Sequence, residues 1–380
     1  MTSGAPHEAP HRFAALDSLR GVAALVVAAE HLNAQGPLFG QRFFINGLLF
    51  VDFFFALSGF VIAAAYADRL VAGFSQARFL WLRLGRVWPV HAVMLGAYLA
   101  VELVGSRITG REAFGPVRSL PDLGVQLLLL QSLWTPSLYT WLLQSWSISA
   151  ELMLYLVAAF GWRAAGRGRW MLSLILAIAA AVAMLFPDAV GLHHKLLRGF
   201  SGFGFGVVAH VVWRRFGTRL EAAGQGAMTL IEVLLALAVI LAVATAGDDA
   251  VFGLYGAGFA IVVLVFAAGR GLVSRMLLAR PLVFLGTISY SLCMVHTLAE
   301  SAAMTLASRA AAWAGYPHWF IPIPGNNRPA ASADLGLGAD LISSGALVVA
   351  VLAAWLLYRL IEHPAREWSR RQAPRIGKAA

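Results

Sequence analysis

The sequence is short of cysteine, of charge and of lysine. Its one cysteine, Cys293, lies inside an apolar run, which excludes an intrachain disulfide and a cysteine-based metal cluster. Charged residues make up only 13% of the 380, about half the share found in soluble domains. Of 29 basic residues only Lys195 and Lys378 are lysines, a bias that fits a high-GC bacterial genome. HExxH, CxxC, the GxSxG elbow and the Walker A loop are all missing, so the usual signatures of zinc hydrolysis, serine hydrolysis and nucleotide cleavage are absent. The run GFSGFGFG at 199–206 follows no strand. It reads as tight helix packing rather than a phosphate loop.

What is abundant is apolar. Hydrophobic residues make up 59% of the chain and the mean hydropathy is +0.73. A soluble domain of this size has too little interior to hide that much apolar surface, and a disordered chain carries far less of it. The composition therefore predicts an all-α polytopic membrane protein. Stretches long enough to cross a bilayer, about 20 residues each, are expected at 14–33, 47–66, 87–104, 141–160, 170–187, 196–213, 228–246, 251–268, 282–305 and 341–361. An eleventh, 122–134, is short and lies between Pro121 and Pro136; it is expected to be a non-crossing helix.

The net charge of +10 would suggest nucleic acid in a soluble protein. Here the cations sit in short loops between apolar runs, so the lipid bilayer is the partner they imply and nucleic acid is not. With the N-terminus inside and 122–134 not crossing, 19 Lys and Arg fall on the inner side and 7 on the outer. That asymmetry favours ten crossings with both termini cytoplasmic. The first apolar run is long and holds Glu30 and His31, so it reads as a retained span rather than a secretory signal. A single domain over 1–380 is expected, with cytoplasmic tails at 1–12 and 366–380. The segment 306–340, rich in Pro and Gly, reads as an outer loop or lid.

Ionisable side chains inside spans are costly, and each is a candidate site. Arg20 and His31 are eleven residues apart, which puts them on one helix face about 16 Å from each other along the axis. Glu30 points about 100° away from them. The competing reading is a snorkelling arginine and an interfacial histidine. Arg83 and Arg86 are three apart and face one side of a helix; two guanidinium forks suit a phosphate, although ordinary inner-surface charge gives the same pattern. Ser147, Glu151 and Tyr155, at spacings of four, line one stripe. Glu151 needs a partner or a cavity, with a structural salt bridge as the alternative. Asp52, and His296 with Glu300 four residues on, complete the set of intramembrane candidates; for His296 a buried, hydrogen-bonded histidine is the plain alternative.

Taken together, LDSLRGVAALVVAAEHL (16–32), VDFFFALSGFVI (51–62), RFLWLRLGRVWPVH (78–91), SWSISAELMLYL (145–156), SYSLCMVH (289–296) and IEHPAREW (361–368) resemble the acyltransferase 3 family of membrane acyltransferases. The resemblance implies a ten-span enzyme of the bacterial cytoplasmic (inner) membrane. Such an enzyme moves an acyl group, commonly acetyl, from cytoplasmic acyl-CoA to a hydroxyl of a carbohydrate or related acceptor. Acyl-CoA is then a co-substrate, with no permanently bound cofactor and no metal. The family's Arg-X10-His pattern falls on Arg20 and His31, its RxxR pair on Arg83 and Arg86, and its glutamate on Glu151. His31 is implied as catalytic base or acyl relay, Glu151 as its helper, and Arg20, Arg83 and Arg86 as the donor's phosphate contacts. Asp52, Ser147, Tyr155 and His296 are further candidates for substrate contact. Glu30 departs from the family pattern and its role is open, as is oligomeric state.

Two other classes fit parts of the pattern. A transporter for a polar solute or glycan also uses buried charges and an outer loop, but paired inverted repeats are not visible. A non-catalytic subunit of an envelope polysaccharide assembly would tolerate alanine at His31 and Arg83. If the acyltransferase reading holds, a polar-lined passage is expected from Arg20 at an inner mouth to His31 further out, with Glu151 on its wall.

Overall fold

Backbone polar groups in hydrocarbon must be satisfied within the chain, and the helix does this locally. The apolar segments accordingly form helices. The structure, a computed structural model, describes residues 13–115, 118–134, 141–186, 194–247, 252–323 and 328–376. In order, the helices that position the site are α1 (Ala14–His31), α2 (Arg42–Ile45), α3 (Phe50–Val71), α4 (Gln76–Thr109), α5 (Leu120–Leu127), α6 (Trp146–Leu156), α7 (Trp162–Ala165), α8 (Arg169–Ala183), α9 (His194–Ala222), α10 (Gln225–Thr245), α11 (Phe252–Ala267), α12 (Leu272–Leu277), α13 (Arg280–Trp313), α14 (Leu337–Leu357) and α15 (His363–Gln372). Among the described residues the strands are a single antiparallel pair, β1 (Phe320–Pro322) and β2 (Pro329–Ala331), with Phe320 opposite Ala331.

The chain is a multi-pass, all-α membrane protein. Among the described residues, seven helical segments are long and apolar enough to cross a bilayer: Gly47–Val71, Gln76–Thr109, Leu143–Ala183, His194–Ala222, Gln225–Thr245, Arg280–Trp313 and Leu337–Arg375. The expected ten differ from these seven at three places, each for a physical reason. α1 has 18 residues and carries Asp17, Arg20 and Glu30, more charge than an isolated span tolerates. The expected spans 141–160 and 170–187 fall in one helical run, Leu143–Ala183. That run folds back at Gly166, whose φ is +54°. Trp162 Nε1 donates to Ser173 Oγ at 3.0 Å, whereas eleven residues of straight helix would hold them about 16 Å apart. α11 has 16 residues and rises about 24 Å, short of a ~30 Å hydrocarbon core.

Three further points concern the ends of elements. The RxxR pair lies in a helix, as its spacing required: Ser75 Oγ caps α4 by accepting from Arg78 N, and the helix runs on through Pro89 into the span. Residues 306–313 continue α13, and α14 already begins at Leu337, so the expected outer loop is shorter and folds as the β1–β2 hairpin. Pro364 does not end the last helix. The chain passes through a wider π-helical stretch, Tyr358–Glu362, and Pro364 sits in the first turn of α15, where proline is tolerated. The short helix near 122–134 is α5, eight residues long, whose rise of about 12 Å cannot span the core. The tail 1–12 and residues 377–380 lie outside the described residues.

α1 lies against α13 and α3, and α13 against α14; α9 joins α3 to α8 and α11. The α1–α13 approach rests on two glycines. A Cβ on Gly286 would overlap the Asp17 carbonyl, and one on Gly21 would overlap the Gly286 amide. The GFSGFGFG run does pack tightly, since a Cβ on Gly204 would come within 2.6 Å of Ser173 O. Because Gly286 holds α1 in place, Gly286→Leu is expected to cost about 1–3 kcal/mol by overpacking. A lowered Tm in detergent checks this.

Candidate functional site

An inner cavity of about 130 Å³ gathers Arg20 from α1, Ser58 from α3, Arg83 and Arg86 from α4, and Ser147, Glu151 and Tyr155 from α6. Six of the nine candidate residues thus meet around one space. Spacing explains why: Ser147, Glu151 and Tyr155 recur every four residues and Arg83 and Arg86 every three, so each set shares one helix face.

Glu151 has both a partner and a cavity. Ser58 Oγ donates to its Oε1 at 2.8 Å, and Tyr155 Oη donates to the same oxygen. No arginine pairs with it among the described residues, so the salt-bridge alternative is not what is seen. Arg83 donates to Tyr66 Oη at 2.9 Å and lies over that ring, while its buried Nε has no partner. Arg86 lines the cavity without a hydrogen-bond or ion-pair partner among the described residues. Arg20 is held from α13, donating from Nε to Ser289 Oγ and from Nη2 to Gly286 O, each at 2.9 Å. It also lies 3.4 Å from Asp17. Three arginines and the Glu151 carboxylate therefore share one cavity, and guanidinium forks of this kind can take anions.

His31 is one end of a second cluster. Its ring meets that of His296 edge-on, with centroids 4.8 Å apart. Nδ1 of His31 lies 2.9 Å from Val27 O. A carbonyl can only accept, so Nδ1 carries the proton and, in the neutral ring, Nε2 holds the lone pair. Glu30 Oε2 lies 2.6 Å from the same Nδ1, so the carboxylate stands against the protonated nitrogen. His296 Nδ1 is likewise committed to Leu292 O at 3.0 Å. Its Nε2, and both carboxylate oxygens of buried Glu300 one turn on, have no hydrogen-bond partner among the described residues.

The expected single passage is therefore divided. Arg20 and Glu151 line the inner cavity, and His31 does not. His296 follows Cys293 and Met294 of the inner wall by less than one turn. An outer cavity of about 250 Å³ begins at Ala29 and Glu30. The histidine pair stands between the two.

Asp52 lies elsewhere. It is fully buried and paired with Arg198, at 3.1 Å to Nε and 2.8 Å to Nη2. Removing one member of such a pair strands the other. Asp52→Ala is expected to destabilise the fold by about 3–5 kcal/mol, read as a lowered Tm, with KM for either substrate unchanged in the protein that survives.

Two residues went unmarked in the sequence reading. Ser58 stands beside Gly59 in the second apolar run, where a small residue fits both close packing and a site. Gly59 does pack, against the Phe203 backbone, while Ser58 turns to Glu151. Glu362 was seen only as part of a helix end. It is 1% exposed and accepts from Ser291 Oγ at 2.6 Å, with Arg366 at 3.3 Å. A carboxylate just inside a terminal apolar run was the available signal.

The described residues thus form an all-α membrane bundle with an arginine-lined cavity and a histidine pair next to it. The chain belongs to the acyltransferase 3 family: that family's profile, described as an acyltransferase domain, matches residues 13–359. The chain is also similar to "Protein 2 in picA locus" of Rhizobium radiobacter, 33% identical over 189 residues, which are 46% of this chain and 95% of that protein. No solved structure matches the chain.

Proposed function

We propose that the protein transfers an acyl group, with acetyl the default, from cytoplasmic acyl-CoA to a hydroxyl of a carbohydrate or related acceptor. The protein would lie in a bacterial cytoplasmic membrane, crossing it ten times with both ends inside and acting as one domain over its whole length. The observation that carries this reading is Arg86, which makes no hydrogen bond or ion pair among the described residues, beside Arg83 and Arg20 on the inner cavity. Bidentate guanidinium forks hold phosphates. A space of about 130 Å³ is below the ~300 Å³ of a site that encloses a whole ligand. It takes the narrow thioester arm and leaves the nucleotide at the cytoplasmic surface.

The reaction follows from that placement. His31 Nε2 takes the proton of the acceptor hydroxyl as its oxygen attacks the thioester carbonyl. The new C–O bond forms, the C–S bond breaks, and the leaving thiolate recovers the proton from Nε2. Histidine's pKa range suits both halves of that exchange. Arg20, on the same helix as His31, holds the donor about 16 Å below it, a span an extended pantetheine arm bridges. Glu151, fixed by Ser58 and Tyr155, orients the arm inside the cavity together with Ser147. His296 packs against His31 and sets its ring plane.

The single cysteine supplies the test. Cys293 lines the inner cavity, so a small thiol reagent labels this residue alone. Saturating CoA is expected to slow that labelling at least tenfold in the wild type and not in Arg86→Ala. Equal labelling with and without CoA in the wild type overturns the donor assignment. Flux of an unmodified solute without acyl-CoA would instead support a transporter.

A further inference from the structure

The outer cavity is a polar space that the donor reading leaves unused. Its floor is the end of α1 and the residues after it: Glu30, Asn33 and Gln35. Two aromatic residues, Phe39 and Phe44, form one side, their rings 5.1 Å apart. The β1–β2 hairpin closes it from above through Ile321 and Ala330. The aromatic wall is fixed from a distance: Asp340, in the first turn of α14, accepts from the backbone N–H of Leu38 at 2.9 Å and of Phe39 at 3.1 Å.

Glu30 joins this cavity to the chemistry. Its side chain is 23% exposed and lines the space, while Oε2 lies 2.6 Å from His31 Nδ1, so one carboxylate faces both the cavity and the base. A carboxylate keeps acceptor sites beyond that one contact. A ligand that brings hydroxyl groups supplies donors to the carboxylate and leaves it beside the base. The volume, about 250 Å³, suits one ring-sized unit and not a lipid tail. Carboxylate and amides for hydroxyls, with aromatic rings for a C–H face, are the two surfaces a sugar ring presents a need for.

We propose that this outer cavity binds the acceptor, a polyhydroxylated ring unit, and that Glu30 is its recognition residue, accepting a hydroxyl hydrogen bond and holding the neighbouring hydroxyl at His31. The inference rests on the acyl-transfer reading above and adds the acceptor's place and the residue that selects it. Glu30 takes no proton in the step; the hydroxyl proton goes to His31 as before.

The experiment uses the full-length protein in lipid nanodiscs with acetyl-CoA. The acceptor probe is the host's own envelope glycan, stripped of ester groups with mild alkali. Glu30→Gln is expected to raise the acceptor KM at least tenfold and to leave the acetyl-CoA KM within twofold, while Glu30→Asp restores part of the loss. Ala330→Phe, which fills the cavity from the hairpin without touching Glu30, is expected to raise the acceptor KM alone as well, and guards against misfolding at α1. Wild-type transfer with unchanged acceptor KM in both Glu30→Gln and Ala330→Phe overturns the inference and leaves the acyl-transfer reading standing. A wild-type protein that transfers nothing to the stripped glycan overturns the carbohydrate reading, and this inference with it.

Discussion

His31→Ala is expected to lower acyl transfer by about 10³-fold, the scale on which a positioned general base contributes. The loss falls on kcat, because the base acts once both substrates are in place. CoA protection of Cys293 is expected to survive, since His31 is not on the inner cavity. Tm is expected to stay within a few degrees, because the ring's contacts are one edge-on histidine, its own helix backbone and the part-exposed Glu30 carboxylate. Single-turnover kinetics on folded protein check this. Wild-type rates in His31→Ala would remove the base from the account. A loss shared equally between kcat and CoA protection would make the residue structural.

Arg86→Ala is expected to raise the acyl-CoA KM by about 10- to 100-fold, since a charge-assisted hydrogen bond contributes about 1.5–3 kcal/mol. Arg86 makes no ion pair among the described residues, so its removal strands no buried partner and the fold tolerates it. Arg83 is different: it also holds Tyr66, and Arg83→Ala combines a binding loss with a packing loss. Lysine is expected to restore little at either position, because one ammonium cannot reproduce a two-pronged contact. Wild-type KM should rise with added salt and that of Arg86→Ala should rise less. An unchanged KM and salt response in Arg86→Ala would place the phosphates elsewhere.

Much of this was legible in the sequence because the membrane makes polar residues conspicuous. Arg83 with Arg86, and Ser147 with Glu151 and Tyr155, were found from helical spacing alone, and each set lines the inner cavity. Arg20 and His31 share a helix, as their eleven-residue separation required. The sequence did not say that His31 would meet His296, because nothing in either segment encodes which helices are neighbours. That pairing depends on α1 and α13 closing through Gly21 and Gly286, a contact between residues 265 positions apart in sequence. Asp52 looked like a site residue for the same reason as Glu151, yet one pairs with an arginine and the other with hydroxyls. Intramembrane charge marks both kinds of residue and cannot tell a structural ion pair from a cavity. The fold-back at Gly166 was legible: two apolar runs separated by a short arginine- and glycine-rich stretch read as two spans joined by a turn.

The division into an inner and an outer cavity gives the account its central claim, that donor and acceptor meet at the histidine pair from opposite faces. The direct measurement is acyl transfer in sealed proteoliposomes of single orientation. Radiolabelled acetyl-CoA is supplied only on the face carrying the C-terminus, and ester-stripped glycan only on the other. The account predicts labelled glycan under this arrangement and none when the two substrates are exchanged between faces. Labelled glycan formed only when donor and acceptor share one face would contradict it.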